Sequence, residues 1–363
     1  MITSSHHRHR PLLLVGALLS AATVLAACGS GTAGQAAGTA AGPPASTVAG
    51  AEATAGAAAA PSGGEFPVTV EHAFGDTTVE AAPERIVTWG WGSTDAVLAL
   101  REVPVAIPLA SYGGNSDGVL PWVADELTEL GAETPELLPD TDGIPFEQIA
   151  AQDPDLILAV YSGITAEDYE TLSQIAPVVA YPDQAWSTPW RDVVLTVGEA
   201  MGMPERAQAV VDEADAAVAD AAEANPELAG RTVAAVADTA DAFYVYEEAD
   251  PRVEFLTDLG MRVAPSVSEL STGESTFFYT LSPELVGGLT SDVLLSYSDT
   301  PEAAEAFLAK PYAATLPQVS SGAVASIVGT DVVASVSPPT ALSLTYGLDT
   351  YVEELSQAVA DAG

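Results

Sequence analysis

Only one cysteine, Cys28, occurs in the 363 residues, so no intrachain disulfide can support the fold. Basic residues are also scarce, 10 Lys and Arg against 51 Asp and Glu, for a formal net charge of −41. Phosphate contacts need Lys or Arg, which excludes nucleic acid as a partner. The same charge opposes peripheral attachment to anionic lipid. Four histidines are present, but three fall within the first ten residues, leaving His72 alone in the rest of the chain. No His/Cys/Asp/Glu set has metal-ligand spacing, so capture of bare zinc, manganese or iron is not expected. There is no Gly-x-Ser-x-Gly, no phosphate loop and no histidine placed for acid–base work, so no catalytic residue is assigned and no cofactor is expected. The one enzyme reading left open is a secreted hydrolase using paired carboxylates, since 51 acids could supply a pair. Beyond residue 27 no apolar run is long enough to cross a bilayer.

The N-terminus carries Arg8 and Arg10 followed by an apolar stretch from Pro11 to Ala27, the charged and hydrophobic regions of a secretory signal. It ends at Leu25-Ala26-Ala27-Cys28-Gly29. That string resembles a bacterial lipobox, which implies cleavage before Cys28 and acylation of its thiol with palmitate. No Arg-Arg pair is present, which favours the general secretory route. Residues 28–64 are mostly Gly, Ala, Thr and Ser with three prolines, too small and polar to offset their ordering entropy, and are expected to form a flexible tether. Beyond Cys28 eight basic residues face all 51 acids, a formal charge of −43. Most of these acids lie along expected helix faces and read as solvated surface.

Ordered sequence begins near Phe66. Residues 66–80 alternate apolar and polar positions around Gly75-Asp76, a hairpin signal. Strands RIVTW, VPVAIP, LILAVYS and PVVAYP then alternate with amphipathic segments, the grammar of a parallel sheet covered by helices. From Pro204 to Ala224 Ala207, Val210, Val211, Ala214 and Val218 recur at helical spacing, giving a rod of about 30 Å. A second βα series begins at Arg231 and includes an expected helix over SPELVGGLTSD and a closing helix over 348–360. The expected organisation is a signal at 1–27, a tether at 28–64, an N-terminal βα lobe at 65–203, an interlobe helix at 204–225 and a C-terminal βα lobe at 226–363. An internal echo supports two related lobes. Glu147 is followed by Asp155, a buried strand and Tyr161-Ser162, and Glu284 by Asp292, a buried strand and Tyr297-Ser298, at equal spacing.

The order of AAPERIVTWGWGSTDAVLAL, WSTPWRDVVLTVGEAMGMPERA, DPRVEFLTDLG, FFYTLSPELVGGLTSDVLLSYS and PPTALSLTYGLDTYVEEL resembles the substrate-binding lipoproteins of iron-siderophore ABC importers. The resemblance covers 66–362. It implies an α/β fold of the class III bilobed type, with two mainly parallel sheets joined by one long helix. It also implies a monomer, anchored outside the cytoplasmic membrane by its lipid, that delivers a ferric siderophore to an ABC permease dimer. Haem and cobalamin are alternative ligands of the same fold. In this family a glutamate on each lobe meets arginines of the permease; by position these would be Glu147 and Glu284. Each also follows a proline closely, so a simple helix-start role stands beside the docking one.

Ligands of open α/β sheets bind beyond the C-terminal strand ends. Aromatic residues gather there: Trp89, Trp91, Tyr112, Tyr161 and Trp186 from the first lobe, with Tyr244, Tyr246, Phe277 and Tyr297 from the second. Aromatic faces with a few cations suit a flat, delocalised ferric chelate. Arg252, on a loop opening a helix, is the expected cation. Arg191 is the second candidate, with a salt bridge to Asp192 or Glu199 as its alternative. Trp190 and Phe278 are expected in the core, and Arg85 and Arg231 on the far side.

Overall fold

Two short strands, β1 Val68–His72 and β2 Gly75–Val79, open the part of the chain described by the computed structural model, which covers residues 64–362 except 142. The signal and tether assignments, Cys28 included, lie outside the described residues. The hairpin pairs His72 with Gly75, so its turn is Ala73-Phe74 rather than Gly75-Asp76. Phe74 is held at the turn by stacking on Tyr169, 5.0 Å between centroids, which outweighs the local preference for glycine there.

Strands β3 Ile86–Thr88, β4 Ala106–Pro108, β5 Glu136–Leu138, β6 Leu156–Ala159 and β7 Val178–Ala180 form an all-parallel sheet in the order β5-β4-β3-β6-β7. Every residue of β3, β6 and β7 is buried, as unbroken apolar runs in a sheet covered on both faces should be. Helices α1 Ser93–Ala99, α2 Pro121–Leu130, α3 Phe146–Ala151, α4 Ala166–Leu172 and α5 Trp190–Ala200 cover it. A capping box between Thr165 and Asp168 starts α4. Helix α6, Pro204–Ala224, follows, burying Ala207, Val210, Val211, Ala214 and Val218 along one stripe.

The second sheet contains β8 Thr232–Asp238, β9 Phe243–Tyr246, β10 Arg262–Val263, β11 Phe278–Leu281, β12 Val293–Ser298 and β13 Val324–Val328. Its order is β11-β9-β8-β12-β13, with β10 beside the start of β8. This sheet is mixed. The link from β8 to β9 is a tight turn closed by the Thr239 amide on the Ala242 carbonyl, too short for a crossover, so β9 runs against β8. Helices α7 Pro251–Asp258, α8 Pro265–Glu269, α9 Pro301–Leu308, α10 Pro317–Ser321, α11 Thr330–Ala334 and α12 Ala341–Asp361 complete the chain.

Two segments differ from the sequence reading. SPELVGGLTSD forms only a 3-10 turn at Val286–Gly288, because the paired glycines cost too much helix propensity, and Glu284 therefore sits in an exposed turn rather than a first helical turn. The closing helix starts seven residues earlier than expected, at a capping box between Thr340 and Ser343. Gly347 lies inside α12, where a Cβ would come within 2.3 Å of Ser335 Oγ.

One apolar cluster runs from Val70 and Val97 through α5 and α6 to Leu295, Ile327 and Tyr351. The two sheets are thus tied through a shared core around α5, α6 and α12 as well as by the chain.

Candidate functional site

Strands β3 and β6 are neighbours where the strand order reverses, and their C-terminal ends frame one side of a cleft. The Trp89 amide donates to the Leu158 carbonyl at 2.8 Å and the Trp91 amide to the Tyr161 carbonyl at 2.9 Å. Gly90 between them has φ of +84°, and a Cβ there would lie 2.3 Å from the Tyr161 carbonyl. Only glycine lets the two backbones close in this way. Trp186 takes up a left-handed φ of +59°, rare for a bulky residue, and is 46% exposed. Its amide is fixed on the Ser162 carbonyl at 3.1 Å, and its ring meets Tyr161 edge-on at 5.7 Å. A strained, exposed tryptophan held by its surroundings marks a contact surface better than a packing role does.

Across the cleft, Asp250 caps α7 by accepting from the Arg252 amide. Its two oxygens take Nε and Nη2 of the same arginine at 2.7 Å each, and the guanidinium lies 3.9 Å from the Tyr246 ring centroid. Burial alone would pull the Arg252 pKa down, but the Asp250 bonds push it up, so the cation persists. Tyr161 feels both Asp250 and Arg252; burial, with Asp250, pushes its hydroxyl up to about 12. Tyr112, on the loop after β4, donates to Asp299 Oδ1 beyond β12 at 2.8 Å, a bond from one lobe to the other.

The structure therefore brings together Trp89, Trp91, Tyr161 and Trp186 on one wall, and Arg252, Tyr246 and Tyr112 near the facing one. The other expected residues lie elsewhere. Tyr297 is only 4% exposed and packs on Tyr246 and Tyr351 as a floor beneath Arg252. Tyr244 meets Phe278 at 5.5 Å on the neighbouring edge strand, so Phe278 is half-buried there rather than central to the core. Phe277 sits beside the end of β9, its carbonyl taking the Glu247 amide. Arg191 is engaged away from the cleft by Asp215 at 2.7 Å, Asp258 at 2.9 Å and Glu254 at 3.3 Å. These acids come from α6 and α7, not from its own helix, where Asp192 and Glu199 had been the expected partners.

A cavity of about 320 Å³ opens beside Trp89, Trp91 and Trp186 and extends between α1, α2 and the loop after β4. The C-terminal part of the chain contributes only Pro338 and Thr340 to its lining. Two residues at its base were not singled out from sequence. Asp95 is 2% exposed and accepts from Trp122 Nε1 at 2.6 Å and Thr340 Oγ1 at 2.5 Å. Burial, against those two bonds, raises its pKa from 3.8 to about 6. In sequence Asp95 looked like any polar position of an amphipathic helix, and α2, which carries Trp122, was not recognised. His72 is buried in the hairpin against Thr77, outside the cleft. Among the described residues no cluster of His, Cys, Asp or Glu could hold a metal ion.

Two βα lobes, a long connecting helix and an aromatic cleft between strand ends define a bilobed solute-binding protein of class III. The chain belongs to the periplasmic binding protein family, whose model matches residues 86–328. It is similar to Streptococcus pneumoniae TIGR4 PiaA in complex with ferrichrome, at 37% identity and a TM-score of 0.73, covering 82% of this chain and 100% of that one. A periplasmic solute binding protein from Mycobacterium smegmatis is 27% identical, with a TM-score of 0.70 over 81% of this chain and 99% of that one. Staphylococcus aureus SirA complexed with staphyloferrin B shares the fold at 20% identity, with a TM-score of 0.59 over 81% of this chain and 96% of that one. No curated protein matches the chain.

Proposed function

We propose that this protein captures a ferric siderophore, of the hydroxamate class, outside the cytoplasm and hands it to an ABC import permease. The observation that carries this reading is the likeness to PiaA with ferrichrome, which extends over the whole of that chain. The cleft chemistry agrees. Ferric hydroxamates are neutral or nearly so, whereas ferric tris-catecholates carry several negative charges and would meet a strongly acidic protein. The Arg252 charge is already matched by Asp250, which leaves one guanidinium edge for a ligand oxygen rather than a surplus of positive charge. The protein acts by binding and release, with no chemistry on the ligand.

Titrating tryptophan fluorescence with ferric hydroxamates, ferric catecholates, haem and cobalamin tests the reading. Hydroxamates should quench at the lowest concentration, and Arg252→Ala should weaken that binding about ten- to a hundredfold, the worth of a charge-assisted contact. Tighter binding of haem or cobalamin, or unchanged affinity in Arg252→Ala, would count against it.

The protein is held to the outer face of the cytoplasmic membrane by lipid on Cys28 and works as a monomer. Support for the anchor is the single thiol at the end of the apolar run. Cys28→Ala should release the protein into the medium; retention on membranes after carbonate washing would refute the anchor. Glu147 and Glu284 dock the permease. Both are exposed, and both precede a turn aspartate that ties the lobe together: Asp155 takes the Glu84 and Arg85 amides, and Asp292 takes the Thr232 amide and hydroxyl.

A further inference from the structure

The side-chain donors that reach the Asp95 carboxylate meet one of its two oxygens. Trp122 and Thr340 both donate to Oδ1, while Oδ2 takes no hydrogen bond from any other described residue. Asp95's own amide is the one further donor near it. Asp95 lines the cavity, so a molecule in the cavity can reach it. Four of the five tryptophans line the same space, and no Lys, Arg or His does. Asp140, exposed at the cavity, receives only a long 3.4 Å contact from Ser111 Oγ. Aromatic faces with carboxylates at the base and entrance make an environment for a cation, through both charge pairing and cation–π attraction. The volume, about 320 Å³, lies at the lower end of the range for small-molecule sites and suits an arm of a ligand rather than a whole ferric chelate.

We infer that this cavity receives a protonated amine arm of the siderophore, with Asp95 Oδ2 as its acceptor and the tryptophans as its walls. The inference rests on the siderophore reading above and narrows it to linear hydroxamates that end in an ammonium group. The iron-bearing part of the ligand then lies in the open cleft between Trp186 and Arg252.

The test compares ferric desferrioxamine B, which has a free terminal ammonium, with its N-acetylated form at neutral pH. The wild type should prefer the ammonium form by about tenfold or more, the worth of a charge-assisted bond. Asp95→Asn keeps an oxygen for Trp122 and Thr340 and puts an amide in place of Oδ2. In that variant the two affinities should converge to within about twofold through loss of the ammonium form, with the acetylated form unaffected. Asp140→Asn should reduce the preference more weakly. Equal affinities in the wild type overturn the inference alone, and a full preference surviving in Asp95→Asn overturns the role of Asp95. Binding of neither complex overturns the inference, and the hydroxamate reading falls with it only where ferrichrome also fails to bind.

Discussion

Asp95 and Arg252 show two ways of keeping a charge out of water. Arg252 has a bidentate partner and an aromatic face, so its ionised state is supported from two directions. Asp95 has only neutral donors, and burial wins over them, raising its pKa to about 6. The folded protein therefore binds a proton at Asp95 more readily than the unfolded chain does. Folding stability falls as pH rises from the ordinary carboxylate range near 4 through about 6, and the full penalty is present above that. Its size is on the order of 2–3 kcal/mol, from a shift of about two units in a fully buried group. Asp95→Asn removes the penalty, so the variant should melt several degrees above wild type at neutral pH and at about the same temperature near pH 4. Thermal melts at the two pH values decide it; an equal advantage at both would mean that Asp95 ionises without cost. A stabilising change that weakens ligand capture is the trade expected of a residue kept for binding.

At the scale of elements, the lobes meet through side chains that the local pattern could not have paired. Arg191 on α5 joins α6 through Asp215 and α7 through Glu254 and Asp258, so one cation serves three helices. All four groups are between 28% and 44% exposed, which screens the network and makes it an aligner of helices more than a source of stability. What was legible beforehand follows the same division. The buried strands β3, β6, β8 and β12 showed as continuous apolar runs, and the stripe on α6 showed at helical spacing, because each signal lies within one segment. The reversal of β9 was hidden because it depends on the length of a turn rather than on the strand's own residues. The early start of α12 was hidden because its first turns carry Gly347, tolerated inside the helix where it passes close to Ser335. In the cleft, Trp89, Trp91 and Trp186 could be named from their places after strands. Asp95 and Trp122 could not, since their meaning comes from an aspartate, an indole and Thr340, the last 245 positions away from Asp95.

For the whole molecule, the decisive property is how firmly the lobes hold their relative position. Helix α6 is a continuous 21-residue rod without a loop to act as a hinge. The shared apolar cluster along α5, α6 and α12 would have to slide for a wide closure, and close-packed interiors resist that. The bonds from Tyr112 to Asp299 and from Thr340 to Asp95 span the two halves at the cleft itself. Ligand capture should therefore involve a small rotation, and the separation of Glu147 and Glu284 should change little with it. Glu147 lies in the first turn of α3, where a carboxylate gains about 0.3–1 kcal/mol from the helix dipole. Glu284 lies in an exposed turn beside Leu285, itself 53% exposed, and has no helix to serve. If the pair docks a permease, the double variant Glu147→Gln, Glu284→Gln should bind its ferric ligand with wild-type affinity yet fail to support uptake. Each single variant should retain part of the transport, because both lobes engage the importer at once. Uptake of radiolabelled iron chelate, measured beside binding of the same chelate, separates the two functions. Full transport by the double variant would leave Glu147 with its dipole role and Glu284 with none.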